Sequence, residues 1–273
     1  MGGDDAFKFP EAPVIAAGGL GGPICAYTST PLRNALTYAS KDASLSIGAI
    51  LSKVFERGII GGWTGGVYPA IAACPQYLCL GPLFHFYAQF GGNLGGIVLS
   101  GLTETAVLYG AETKNAQIAI NARGGIIPEA RIQSPFNPIG PGIGVNLTRN
   151  IFAMSGMRVI NEPIAQGISN ATGGSKSGLV VFFSDLVANC CAAGISMPLH
   201  MLYQYMATTP ELWDKSQAEQ IAGMKRFLSD QYFPNGKFSS VIARDLALRA
   251  GYISVPYTMY MMIERAAIKY WPW

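Results

Sequence analysis

Ionisable side chains are scarce in this chain, and several interrupt long apolar stretches: His85, Glu104, Arg149, Glu162, Asp185, His200, Arg249 and Glu264. A charge at bilayer depth is costly, so each is a candidate for solute recognition, proton coupling or an ion pair between helices. Arg149 either contacts a solute, pairs with Glu162 or a backbone carbonyl, or meets a neighbouring subunit. Glu104 and Asp185 either face a water-filled interior or bond across helices. Neither histidine has a second His, Cys or carboxylate at helical i, i+4 spacing, so no metal site is expected and hydrogen-bonded packing is the reading of both. The five cysteines (Cys25, Cys74, Cys79, Cys190, Cys191) sit in apolar segments without metal-ligand spacing and read as small buried hydrophobes. No glycine loop is completed by Lys-Ser/Thr after a strand, so no phosphate cradle is implied. Enzymatic chemistry has no constellation to rest on.

The elements that carry these residues are those of a membrane protein. Hydrophobic residues make up 50% of the chain and charged residues 13%, against about 25% charged for an ordinary soluble domain. No Asp, Glu, Lys or Arg occurs in 12–32, 58–103 or 186–210. About 20 helical residues cross a bilayer, and the middle gap holds two crossings. Ser, Thr, Asn, Gln and Gly punctuate these stretches, as in helices that pack together or line a polar interior. A net charge of +3 without a basic block leaves nucleic-acid binding unsupported. The first residues carry Asp4 and Asp5 and no apolar run, unlike a secretory or transit signal, so targeting is expected to be internal.

A module is written three times. Glycine-rich apolar runs lead into Pro31-Leu32-Arg33, Gly110-Ala111-Glu112 and Pro198-Leu199-His200. Spans are expected at about 12–38, 66–90, 93–121, 145–168, 178–207 and 238–270. Amphipathic helices are expected at 47–57 and 216–228, with a Pro-rich connection (Pro128, Pro135, Pro138, Pro141) in the second module. Pro31 and Pro198 lie inside apolar runs and should kink their helices.

With these features the chain resembles the mitochondrial carrier family, in which three repeats each contain an odd helix ending in Pro-x-[Asp/Glu]-x-x-[Lys/Arg], a matrix-side amphipathic helix and an even helix. The turn over Gly58, Trp63 and Gly65 is similar to the family's glycine-aromatic pattern, with Thr64 at its basic position. The resemblance implies an all-α membrane protein of the mitochondrial inner membrane. Six transmembrane helices in three pseudo-symmetric repeats, 1–91, 92–172 and 173–273, would form one integrated domain with short matrix-side amphipathic helices.

The same resemblance assigns positions. On the matrix side the acidic gate sites fall on Arg33, Glu112 and His200 and the basic ones on Leu36, Asn115 and Tyr203, so one ion pair, Arg33 with Glu112, is available where the family makes three. On the opposite side the acidic sites fall on His85, Glu162 and Glu264. The basic ones are Ala88, Ala165 and Ala267, which leaves that latch without cations. Solute-contact candidates are Ala72, Arg149 with Asn150, and the region of Gly251 and Tyr252 with Arg249 nearby. Cardiolipin, as the family binds it, is expected at Gly58, Trp63 and Gly65, with Gly142 and Gly236 as weaker copies. Loss of both charge networks points to a transport-inactive homologue serving as an accessory subunit of an inner-membrane respiratory complex or supercomplex. The alternative is a working solute carrier. The aromatic end, Tyr270-Trp271-Pro272-Trp273, suits an interfacial anchor or a docking point.

Overall fold

The computed structural model describes residues 11–78, 82–125, 127–171 and 178–271, and among them there are helices and turns but no strand. Residues 1–10, Cys79 and the terminal Pro272-Trp273 lie outside the described residues, and of the other cysteines Cys25 is buried as expected, whereas Cys74 is half-buried and Cys190 and Cys191 are exposed. Among the described residues eleven α-helices follow in order: α1 (Ala12–Ala16), α2 (Gly22–Thr28), α3 (Thr30–Ala39), α4 (Ile47–Val54), α5 (Val67–Leu78), α6 (Phe84–Asn121), α7 (Ile143–Ser155), α8 (Asn161–Ala171), α9 (Gly178–Ala207), α10 (Gln217–Tyr232) and α11 (Val241–Tyr270). Wider π-turns join α1 to α2 over Ala17–Gly21 and α7 to α8 over Gly156–Ile160.

Taken as rods, α1–α3, α5, α6, α7–α8, α9 and α11 form a closed ring, each packed on the next and α11 back on α1–α3. Close approach explains several glycines. A Cβ on Gly156 would land on the Ala192 methyl, and one on Gly110 would lie 2.7 Å from the carbonyl oxygens of Ser134, Pro135 and Asn137. Gly110, where the other modules have proline, is thus the seat of the Pro-rich connection.

Among the described residues two helices, α6 and α9, are long and apolar enough to cross a membrane, where six crossings were expected. Of the two expected kinks, the first is seen as a break in the helix. Proline lacks the N–H that an interior turn needs, yet is tolerated in the first turn. The first rod accordingly breaks at Ser29 so that Pro31 starts α3, whereas α9 continues through Pro198. Between modules, α6 is bent by non-helical backbone at Gly91 and Gly92, the latter at φ +61°. The second amphipathic helix is longer than expected. Ser216 accepts from the Glu219 backbone N–H while the Glu219 carboxylate accepts from Ser216 N–H, a capping box that starts α10 at Gln217. Among the described residues the second module has a single 3₁₀ turn, Glu129–Arg131, in place of such a helix.

The ring is apolar outside and polar along its axis. Leu20, Ile24, Ile71, Leu94, Leu179 and Phe183 are all exposed on outer faces, while Arg33, Glu112, Arg149, His200 and Arg249 are buried. Two apolar layers sandwich this polar one. Leu36, Ile50, Val54, Met201, Tyr232 and Leu248 fill the end where α4 and α10 lie, and Cys25, Tyr77, Phe84, Met154 and Tyr260 fill the other.

Candidate functional site

The middle layer draws on α3, α5, α6, α7, α9 and α11, because polar residues recur there at helical spacing: Asn146, Arg149 and Asn150 on α7; Ser196, His200 and Gln204 on α9. Glu112 is its hub. One carboxylate oxygen accepts from Arg149 Nη2 at 2.8 Å and from Asn146 Nδ2 at 3.3 Å, and the other stands 4.0 Å from Arg33 Nη2. The expected Arg33–Glu112 pair therefore exists at the limit of an ion pair, but the nearer cation is Arg149. Arg149 is thereby corrected: neither Glu162, which is exposed, nor a backbone carbonyl is its partner. Asn150 Oδ1 accepts from Arg149 Nε at 2.9 Å, and its amide donates to Thr105 and Asn146.

His200 is held between two guanidiniums. Arg149 Nη1 at 3.2 Å and Arg249 Nη1 at 3.1 Å both point at Nδ1, which must therefore carry the lone pair. The ring proton is then on Nε2, 3.4 Å from the Gln204 amide. Turning that amide over lets its oxygen accept from Nε2 and its nitrogen donate to Thr37 Oγ1, 3.0 Å away. Arg33 Nε donates to Tyr252 Oη at 3.0 Å, and the guanidiniums of Arg33 and Arg249 lie 5.3 and 5.2 Å from the Tyr252 ring centre. Ala72 takes no part in these contacts; Gln76, one turn on, does, donating to Glu104 at 2.8 Å.

The layer is sealed. Arg33, Arg149 and Arg249 are 3%, 3% and 2% exposed, and the void lined by Arg33, Gln76, Tyr77, Tyr252 and Tyr257 measures about 10 Å³, room for about one water.

At the α4/α10 end, the positions expected to lack cations are neutral plugs. Leu36 packs in the apolar layer, Asn115 Nδ2 donates to Thr64 O at 3.0 Å and Asn34 Oδ1 at 3.3 Å, and Tyr203 shares a 2.8 Å hydrogen bond with Thr113. Gln117 Nε2 donates to Ala207 O and Tyr38 Oη to Ala119 O, so side chains reach across to backbone carbonyls of neighbouring rods.

The opposite end corrects an expectation. Cations do meet the carboxylates there, although Ala88, Ala165 and Ala267 supply none: Arg158 is 3.5 Å from Glu264, and Arg265 makes a two-pronged pair with Asp185. Sequence reasoning missed both arginines because it looked for them at motif positions. Arg265 lies two residues before Ala267, and a guanidinium stem spans that offset easily. His85 is exposed beside Phe84, ring centres 5.5 Å apart, and Glu162 is exposed as well.

Of the lipid positions, Gly58, Gly65, Gly142 and Gly236 all have positive φ, between 73° and 80°, and the last residue before α7 is Gly142. Trp63 Nε1 donates to Tyr27 O at 2.9 Å, tying its loop to the first rod. No protein-family model matches the chain, and no curated protein sequence matches it significantly.

Proposed function

We propose that the protein is a carrier-type six-helix bundle of the mitochondrial inner membrane that no longer alternates and serves as an accessory subunit of a respiratory complex or supercomplex. The observation that carries this reading is closure at both ends at once. Neutral side chains bonded to backbone carbonyls shut one mouth, ion pairs shut the other, and the void beside Arg33 and Tyr252 between them measures about 10 Å³. An alternating device needs two states close in energy, each with contacts that the other lacks. Asn115, Gln117 and Tyr38 donate to backbone carbonyls outside their own rods, bonds that separation of the rods would break. The apolar outer faces would lie in lipid, and cardiolipin would sit at the Gly58–Trp63–Gly65 turn, with Gly142 and Gly236 marking the weaker copies. The test is mild detergent extraction and native separation of the source membranes. Co-migration with a respiratory assembly is expected; a free species near 29.0 kDa plus detergent refutes the reading.

A second reading, a working carrier of a small metabolite, is favoured by the meeting of Arg149, Asn150 and Arg249 at mid-depth. Reconstitution decides it. Saturable exchange that Arg149→Ala abolishes with folding retained would replace the subunit reading.

A further inference from the structure

The middle layer does not balance its charge. Arg33, Arg149 and Arg249 face two carboxylates, Glu112 and Glu104, and the geometry at Nδ1 leaves His200 neutral. At least one positive charge is left over in a region that water does not reach. Isolated buried charges are among the most unfavourable features a protein can carry, and real structures compensate them. The donors to do so are present. Arg33 Nη1 and Arg249 Nε are buried without a hydrogen-bond acceptor, and Tyr252 Oη, which accepts from Arg33, has its own proton to give. Arg33 and Tyr252 both line the one-water void.

We propose that this layer holds one resident monovalent anion, halide or small carboxylate, bound in the void by Arg33 and Tyr252, with Arg249, 5.2 Å from the Tyr252 ring, supplying the charge that the ion balances rather than a contact. Size sets the class: a space of about 10 Å³ excludes phosphate, nucleotide or a metabolite dianion unless the rods separate. Because the three arginines are buried, the ion exchanges only when the bundle opens, so it equilibrates with the buffer over a whole purification and is retained over a single gel filtration. The inference does not depend on the subunit reading: the chain can fail to co-migrate with a respiratory assembly and still retain the ion, or the reverse.

The experiment purifies the protein in parallel in chloride, bromide, formate, sulfate and gluconate at equal ionic strength, the last two anions being too large for the void. Bound bromide is counted by elemental mass spectrometry after gel filtration in gluconate, and thermal unfolding is followed in detergent. The expected result is about one bromide per chain and a melting temperature at least about 4 °C higher in the halides than in gluconate, or in formate alone if a carboxylate is the occupant. Arg249→Gln removes the excess charge. It should abolish bromide retention, melt alike in all five salts, and melt higher than the wild type in gluconate. Arg33→Gln is the second variant should Arg249→Gln fail to fold. Equal melting in every salt without retained bromide overturns the proposal, as does bromide that the folded Arg249→Gln protein keeps or stabilisation by sulfate alone.

Discussion

Glu112→Gln isolates the hub of the axis. Glutamine keeps the shape and can still accept from Arg149 and Asn146, so the substitution removes charge and little else. The carboxylate stands 2.8 Å from Arg149 and 4.0 Å from Arg33. At an effective dielectric of about 20 those separations correspond to about 6 and about 4 kcal/mol of gross attraction. Desolvating the carboxylate offsets a large part of this, and removing one partner of a buried pair costs about 3–5 kcal/mol net. At roughly 2–4 °C per kcal/mol for a chain of this order, unfolding should move down by about 10 °C. The assay is equilibrium unfolding in detergent, read by tryptophan fluorescence, on wild type, Glu112→Gln, Arg149→Met and the double variant. The double variant should lose less than the sum of the singles, with a coupling of at least about 2 kcal/mol. The deficit of Glu112→Gln should also be larger in gluconate than in chloride, since it leaves a second guanidinium charge unmatched. A single variant within about 1 kcal/mol of wild type, or a cycle without coupling, would refute the assignment of Glu112 as the hub.

Three further substitutions test the packing that positions this layer. Gly110→Ala pushes a methyl into the carbonyl oxygens of Ser134, Pro135 and Asn137 and should cost about 1–3 kcal/mol, with faster tryptic cleavage after Arg131 as the displaced connection loosens. Gly156→Ala collides with the Ala192 methyl and should lower the unfolding temperature by a similar amount, while Gly156→Ala with Ala192→Gly recovers most of it. Ser216→Ala removes the cap of α10 and should weaken that helix by about 1 kcal/mol, seen as faster amide exchange confined to 217–232.

The all-helical character is legible because long apolar runs leave few options, although among the described residues two helices, α6 and α9, and not six, have the length and hydropathy of a membrane crossing. The 178–207 run becomes α9 with the same bounds, and the amphipathic helix expected from 216 starts as α10 at Gln217. Positive φ falls on the glycines that the turn pattern picked out, since a left-handed residue before a helix strongly favours glycine. The charge partnerships were harder. Glu112 and Arg149 sit on different rods, and a long guanidinium stem can meet a carboxylate from one turn above or below, so motif spacing does not fix the pair. Arg158 and Arg265 escaped notice for the same reason. What the sequence does carry is the polar stripe: Asn146, Arg149 and Asn150 at i, i+3, i+4, and Ser196, His200 and Gln204 at steps of four, both pointing inward.

Whether the axis ever opens can be worked from its closing contacts. At the α4/α10 end, separation of the rods breaks the Asn115 bonds to Thr64 and Asn34, the Gln117–Ala207 and Tyr38–Ala119 bonds and the Tyr203–Thr113 bond. At about 1 kcal/mol net each these amount to about 5 kcal/mol, before Leu36 and its apolar neighbours are counted. An open state of that cost is populated at roughly one part in several thousand. A cysteine at Leu36, which is fully buried, reports on it. Leu36→Cys should react with a water-soluble maleimide at least about a thousandfold more slowly than a cysteine at the exposed Ile60, because labelling is throttled by the open fraction. Asn115→Ala, which cuts two of the bonds, should speed labelling of Leu36→Cys by about tenfold or more. Rapid labelling of Leu36→Cys in the otherwise unaltered protein would mean that the mouth opens routinely. The neutral plugs would then be a gate in use, and the bundle a carrier.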